Sequence, residues 1–111
     1  MAVFYFKIII FVRMKVLEQN NQISALCKSH NVEYLYLFGS ALSERFSDES
    51  DVDLLVKFLP IDLFGYFENY LSLKENLEKF FGRKVDLVEE QSLKNPVLIR
   101  NINKNRQQIY G

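Results

Sequence analysis

Asp51 and Asp53 stand two residues apart at the mouth of an apolar run, "DVDLLVKF". In a β-strand such alternate side chains share one face, with their backbones about 6.6–6.8 Å apart. Two bare carboxylates at that separation repel by roughly 2–3 kcal/mol at an effective dielectric near 20. A divalent cation reverses the sign. Mg2+ takes one or two protein carboxylates together with phosphate oxygens and water, so the pair points to a metal-phosphate ligand rather than a closed metal cage. Asp86 in "KVDLV" is the candidate third ligand, because strand alternation turns it away from Val85 and Leu87.

Gly39-Ser40, at the end of "VEYLYLF", supplies the other half of such a site. Glycine lets a tight turn approach a ligand, and the amides that follow are expected to open a short helix whose N-terminus favours anions. Ser40 can cap that helix or donate its hydroxyl to a phosphate. Each piece also has an ordinary structural reading, as a common turn or a solvent-facing aspartate. Their conjunction, with ten residues between Gly-Ser and Asp-x-Asp, is what one metal-nucleotide site requires.

These residues need strands and helices to hold them. The spacing of Ile23, Leu26 and Cys27 predicts a helix over 17–29, stopped by Asn31 in the left-handed conformation. Val32 to Phe38 and "DVDLLVKF", closed by Pro60, read as buried strands. From Asp62 to Phe81, Leu63, Phe67, Tyr70, Leu71, Leu77 and Phe81 recur at helical steps, leaving Lys74, Glu75 and Glu78 for the wet face. Gly82 lies at the C-cap position, and "KVDLVE" is a third strand. Asn95-Pro96 then signals a helix running through Val97 to about Asn103. Alternating helices and strands predict a mixed α/β domain.

The 111 residues suit one domain. Fourteen basic residues balance fourteen acidic ones, which argues against a chain that lives on non-specific nucleic-acid or membrane attraction. The single cysteine, Cys27, forms no internal disulfide, and with His30 as the sole histidine there is no zinc set, so a cytoplasmic setting is expected. The opening "MAVFYFKIIIFVR" resembles a signal core but is interrupted by Lys7, lacks a cleavage site and is too short to span a bilayer. Residues 1–13 are therefore expected to be an extension outside a working domain of residues 14–111, with an edge strand or a sticky arm as the alternatives. His30 is expected to meet the last helix carbonyls rather than act as a base, and Cys27 to be a small core residue. Lys94, Arg100, Lys104 and Arg106 are expected on a solvated helix face, with an acidic partner surface as the alternative, and Tyr66, Phe67 and Tyr70 in the core or at an interface.

Gly-Ser, ten residues, "DVD" and then "KVDLV" together resemble the polymerase-beta-like nucleotidyltransferases, specifically the minimal nucleotidyltransferase (MNT) antitoxins paired with HEPN toxins. The likeness spans about Met14 to Gly111, including the closing "LKNPVLIRNINKNRQQIYG". It implies a small mixed sheet of three or more strands packed with helices. It also implies Mg2+-dependent transfer of AMP from ATP to a tyrosine of a HEPN-type toxin encoded by an adjacent gene. By that resemblance Gly39 and Ser40 contact the triphosphate, Asp51 and Asp53 ligate Mg2+, and Asp86 is a third carboxylate that receives the proton of the attacking hydroxyl. Many members carry Arg-Gly midway between the two motifs; here Glu44-Arg45-Phe46 stands there, so Arg45 is kept as a nucleotide-binding residue and the glycine is replaced. Two other functions fit the same fold: an antitoxin acting by contact alone, against which the intact carboxylates weigh, and nucleotide transfer to a small-molecule hydroxyl, against which the short chain weighs.

Overall fold

Asn31 and Gly82 mark where two helices stop, both in the left-handed region with φ of 59° and 66°. The computed structural model describes residues 20–39 and 51–111. Residues 1–13, Ser40, Arg45 and the helix expected to open at Ser40 lie outside the described residues.

Helix α1 (Asn20–Ser29) buries Ile23 and Cys27, one helical turn apart, with Leu26 packed beside them. His30 closes it as expected: Nδ1 donates to the Leu26 carbonyl at 2.8 Å. The other ring nitrogen meets the Ser72 hydroxyl at 2.9 Å, and the Asn69 amide donates to the His30 carbonyl at 2.8 Å. The imidazole thus ties α1 to the following long helix instead of standing in a site.

Strands β1 (Val32–Phe38), β2 (Val52–Phe58) and β3 (Val85–Glu89) form where the apolar runs predict them. β1 pairs antiparallel with β2, and β2 pairs parallel with β3. A fourth strand, β4 (Gln107–Tyr110), adds antiparallel to β1, giving the order β3-β2-β1-β4. Only a helix was expected in this tail. Two exposed glutamines and one buried apolar residue, Ile109, make no apolar run, so its pairing with β1 is decided by the partner strand.

The long helix departs from expectation in its face. A 3₁₀ turn (Leu63–Gly65), capped by the Asp62 carboxylate on the Phe64 amide, precedes α2 (Tyr66–Phe81) and resets the helical phase. Its buried residues are Leu73, Leu77, Phe80 and Phe81, with Tyr66 and Tyr70 packed against the same core. Leu63, Phe67 and Leu71, expected inward, are 87%, 68% and 39% exposed. Phe67 and Leu71 each follow a tyrosine of the packed stripe by one residue, about 100° around the helix, and so turn outward. Lys74 and Glu78, expected on the wet face, are half-buried.

Helix α3 (Pro96–Asn105) starts at the predicted cap, with the Asn95 side chain accepting from the Val97 and Leu98 amides. It packs on the opposite face of the sheet from α1 and α2, where Ile102 joins Phe38 and Leu55. The described residues form a mixed α/β structure of three layers, α1 and α2, the sheet, and α3, in line with the class read from the sequence.

Candidate active site

Alternation along β2 divides its side chains cleanly. Val52, Leu54, Val56 and Phe58 enter the core beneath α1 and α2, whereas Leu55 meets Ile102 on the other face. Asp53 shares the face of Leu55 and is half-buried. The register pairs Asp53 with Phe38 of β1 on one side and with Asp86 of β3 on the other. Asp86 is exposed, turned away from buried Val85 and Leu87 as the sequence predicts. Two of the three expected carboxylates therefore occupy one rung of the sheet, on strands about 4.8 Å apart.

Asp51 lies one residue before β2 and is exposed. The Val52 amide donates to the Lys84 carbonyl at 2.9 Å, so the chain is already laid against β3 at this point. Asp51 and Lys84 each stand one residue before their strands, and Lys84 lines a surface with Glu75, Glu78 and Lys79 of α2.

Gly39 closes the same end from the β1 side. It follows Phe38 with φ of 71°, and a Cβ built there would overlap the Asp53 carboxylate. Glycine is required twice at this position, by the left-handed backbone and by the approach of the carboxylate. Ser40 and Arg45 lie outside the described residues, so the phosphate turn and the Arg45 contact are not placed.

The donor set suits Mg2+ by its chemistry, since all three candidate ligands are carboxylates. Among the described residues, no three His, Cys, Asp or Glu side chains are gathered closely enough to hold an ion. An ion here would need further oxygens from phosphate or water, which is the habit of Mg2+ rather than of a closed structural site.

The nearby nucleophiles are quiet. Tyr70, on α2, donates its hydroxyl to the Leu87 carbonyl of β3. Burial, and then the charge of Asp86, push its pKa upward. Burial alone pushes the Cys27 thiol up to about 12. Neither group supplies an anion at neutral pH.

The family model described as "Polymerase beta, Nucleotidyltransferase" matches residues 21–111. A Methanocaldococcus jannaschii protein, provisionally named a protein adenylyltransferase, is 38% identical over 73 residues, covering 66% of this chain and 72% of that protein. A solved structure provisionally described as a minimal nucleotidyltransferase superposes with a TM-score of 0.66 at 28% identity, over 81% of this chain and 88% of its own. A second, described as a toxin-antitoxin with AMP-PNP, gives a TM-score of 0.61 at 26% identity, over 83% of this chain and 73% of its own.

Proposed function

Because this chain belongs to the polymerase-beta nucleotidyltransferase family, in its minimal nucleotidyltransferase branch, we propose that it transfers AMP from ATP to a tyrosine of a HEPN-type toxin and acts as its antitoxin. The observation that carries this reading is the rung shared by Asp53 and Asp86, beside a glycine that leaves no room for a side chain. The adenylyltransferase name of the archaeal relative and the nucleotide in the toxin-antitoxin neighbour support it.

Asp51 and Asp53 would hold Mg2+, with Asp86 as third ligand. When bound, Mg2+ would supply Lewis-acid polarisation of the phosphoryl oxygens and neutralise charge on the pyrophosphate. Gly39 and Ser40 would cradle the phosphates with backbone amides and a hydroxyl, and Arg45 would add a positive charge to the same anion. Asp86 accepts the proton of the tyrosine hydroxyl. The phenol oxygen forms a bond to the α-phosphorus as the bond from that phosphorus to the pyrophosphate oxygen breaks. The products are tyrosyl-AMP and pyrophosphate. A partner encoded by the neighbouring gene and a cytoplasmic setting complete the proposal.

The test is mass spectrometry of the partner after co-expression. The native chain should add AMP to a tyrosine, and Asp86→Asn should slow transfer by about 10²-fold or more, the scale of a lost general base. Asp51→Asn and Asp53→Asn should instead weaken Mg-ATP binding in calorimetry. An unmodified partner whose toxicity is still suppressed would replace this reading with inhibition by contact.

A further inference from the structure

Two side chains of α2 bracket Asp86 from outside the sheet. Toward β2, the Lys84 carbonyl accepts from the Val52 amide, and the register then pairs Asp86 with Asp53. On the other side the Val85 amide donates to the Glu78 carboxylate at 3.1 Å, and the Leu87 carbonyl accepts from the Tyr70 hydroxyl. Val85 and Leu87 are the chain neighbours of Asp86, so the backbone that carries this carboxylate is pinned immediately before and after it. One turn before Tyr70, the Tyr66 hydroxyl is hydrogen-bonded to the side chain of Glu89, three residues beyond Asp86. The sequence placed Tyr70 in the core or at an interface. It does pack against the core, and its hydroxyl extends from there to the strand edge.

Asp86 needs such support more than Asp53 does. It is exposed, and among the described residues β3 has no strand on its outer side, so strand pairing holds only one edge of its backbone. A proton acceptor has to come within about 2.6–3.2 Å of the hydroxyl it serves, and a misplacement of about 1 Å can cost on the order of 10²-fold in rate. We infer that Tyr70 is a positioning residue for nucleotidyl transfer: by donating its hydroxyl to the Leu87 carbonyl, together with the Glu78 contact at Val85, it fixes the strand that presents the Asp86 carboxylate to the attacking hydroxyl. This rests on the nucleotidyltransfer reading above. It goes beyond that reading in giving the transfer step a residue of α2 that acts through the β3 backbone.

Tyr70→Phe keeps the ring and removes the hydrogen bond. In the unliganded chain, hydrogen exchange of the Asp86 amide should quicken about tenfold, the scale of one lost hydrogen bond, while the amides of β1 keep their native rates. In AMP transfer to the partner, kcat should fall about tenfold or more with KM for ATP within about twofold of native, because Asp51 and Asp53 are undisturbed. Tyr66→Phe, which loses a bond of the same kind farther along β3, should leave both Asp86 exchange and kcat as they were. An unchanged kcat in Tyr70→Phe, an equal rise in exchange across all four strands, or the same losses in Tyr66→Phe would each overturn the assignment while leaving nucleotidyl transfer standing. So would a Tyr70→Phe chain that does not fold, since the hydroxyl would then serve the fold rather than the site. A native chain that transfers no AMP to its partner would overturn both.

Discussion

Gly39 carries more constraint than any charged residue of the site. Its φ of 71° costs an L-residue about 1–2 kcal/mol, and a side chain there would also displace the Asp53 carboxylate. Gly39→Ala should therefore lower stability by about 1–3 kcal/mol in urea unfolding and reduce Mg-ATP affinity by about tenfold or more. Equal nucleotide affinity in the folded variant would show that the carboxylate can move without loss. Asp86 differs from Asp53 in kind, since it is exposed where Asp53 is half-buried. An exposed carboxylate on an edge strand is open to an incoming hydroxyl, whereas the half-buried one is suited to hold its position.

At the scale of elements, α2 and α3 protect the strand edge and the sheet face. Among the described residues β3 is an edge strand, and edges left open invite pairing with another chain. Two side chains of α2 close this one: Glu78 accepts from the Val85 amide and Tyr70 donates to the Leu87 carbonyl. Helix α3 covers the second face through Ile102, which is 2% exposed against Phe38 and Leu55. Phe38 shares the rung of Asp53, so this packing also steadies the site. Ile102→Ala should cost about 2–5 kcal/mol, whereas Val97→Ala on the same helix, 61% exposed, should change stability by less than about 0.5 kcal/mol. Similar urea midpoints for the two variants would mean that α3 is not a core layer.

Across the whole molecule, the core of the described residues is assembled from α1, the four strands, α2 and α3. No helix among the described residues is long and apolar enough to cross a membrane. We expect a chain shortened to residues 14–111 to fold and to keep Mg-ATP binding, because it retains every element of that core. It should also express better once relieved of an apolar stretch. Loss of the circular dichroism of the folded chain on shortening would show that residues 1–13 complete the core. With a formal net charge of zero, attraction for an anionic ligand has to be local, which makes Gly39 and the carboxylates, with any ion they hold, matter more than the overall field.

Features set by a residue's own backbone or by its immediate neighbours were determined by the sequence itself. Asn31 and Gly82 adopt left-handed caps, Asn95 caps its helix, and Asp86 turns opposite to Val85 and Leu87, because each outcome depends on one turn or one strand repeat. The spacing of Gly39, Asp51, Asp53 and Asp86 suggested a metal-nucleotide site before any pairing was known, and that chemistry remains the proposal tested above. Only tertiary structure decided that Asp53 and Asp86 share a rung, that Gly39 abuts Asp53, that the Val52 amide bonds the Lys84 carbonyl and that Gln107–Tyr110 forms a strand. The inward face of α2 was settled in the same way, once the turn at Leu63–Gly65 had reset its phase. Each of these depends on register between segments far apart in the chain. A slip of one residue would carry Asp86 to the opposite face, and it is burial across the sheet, not local preference, that selects the register.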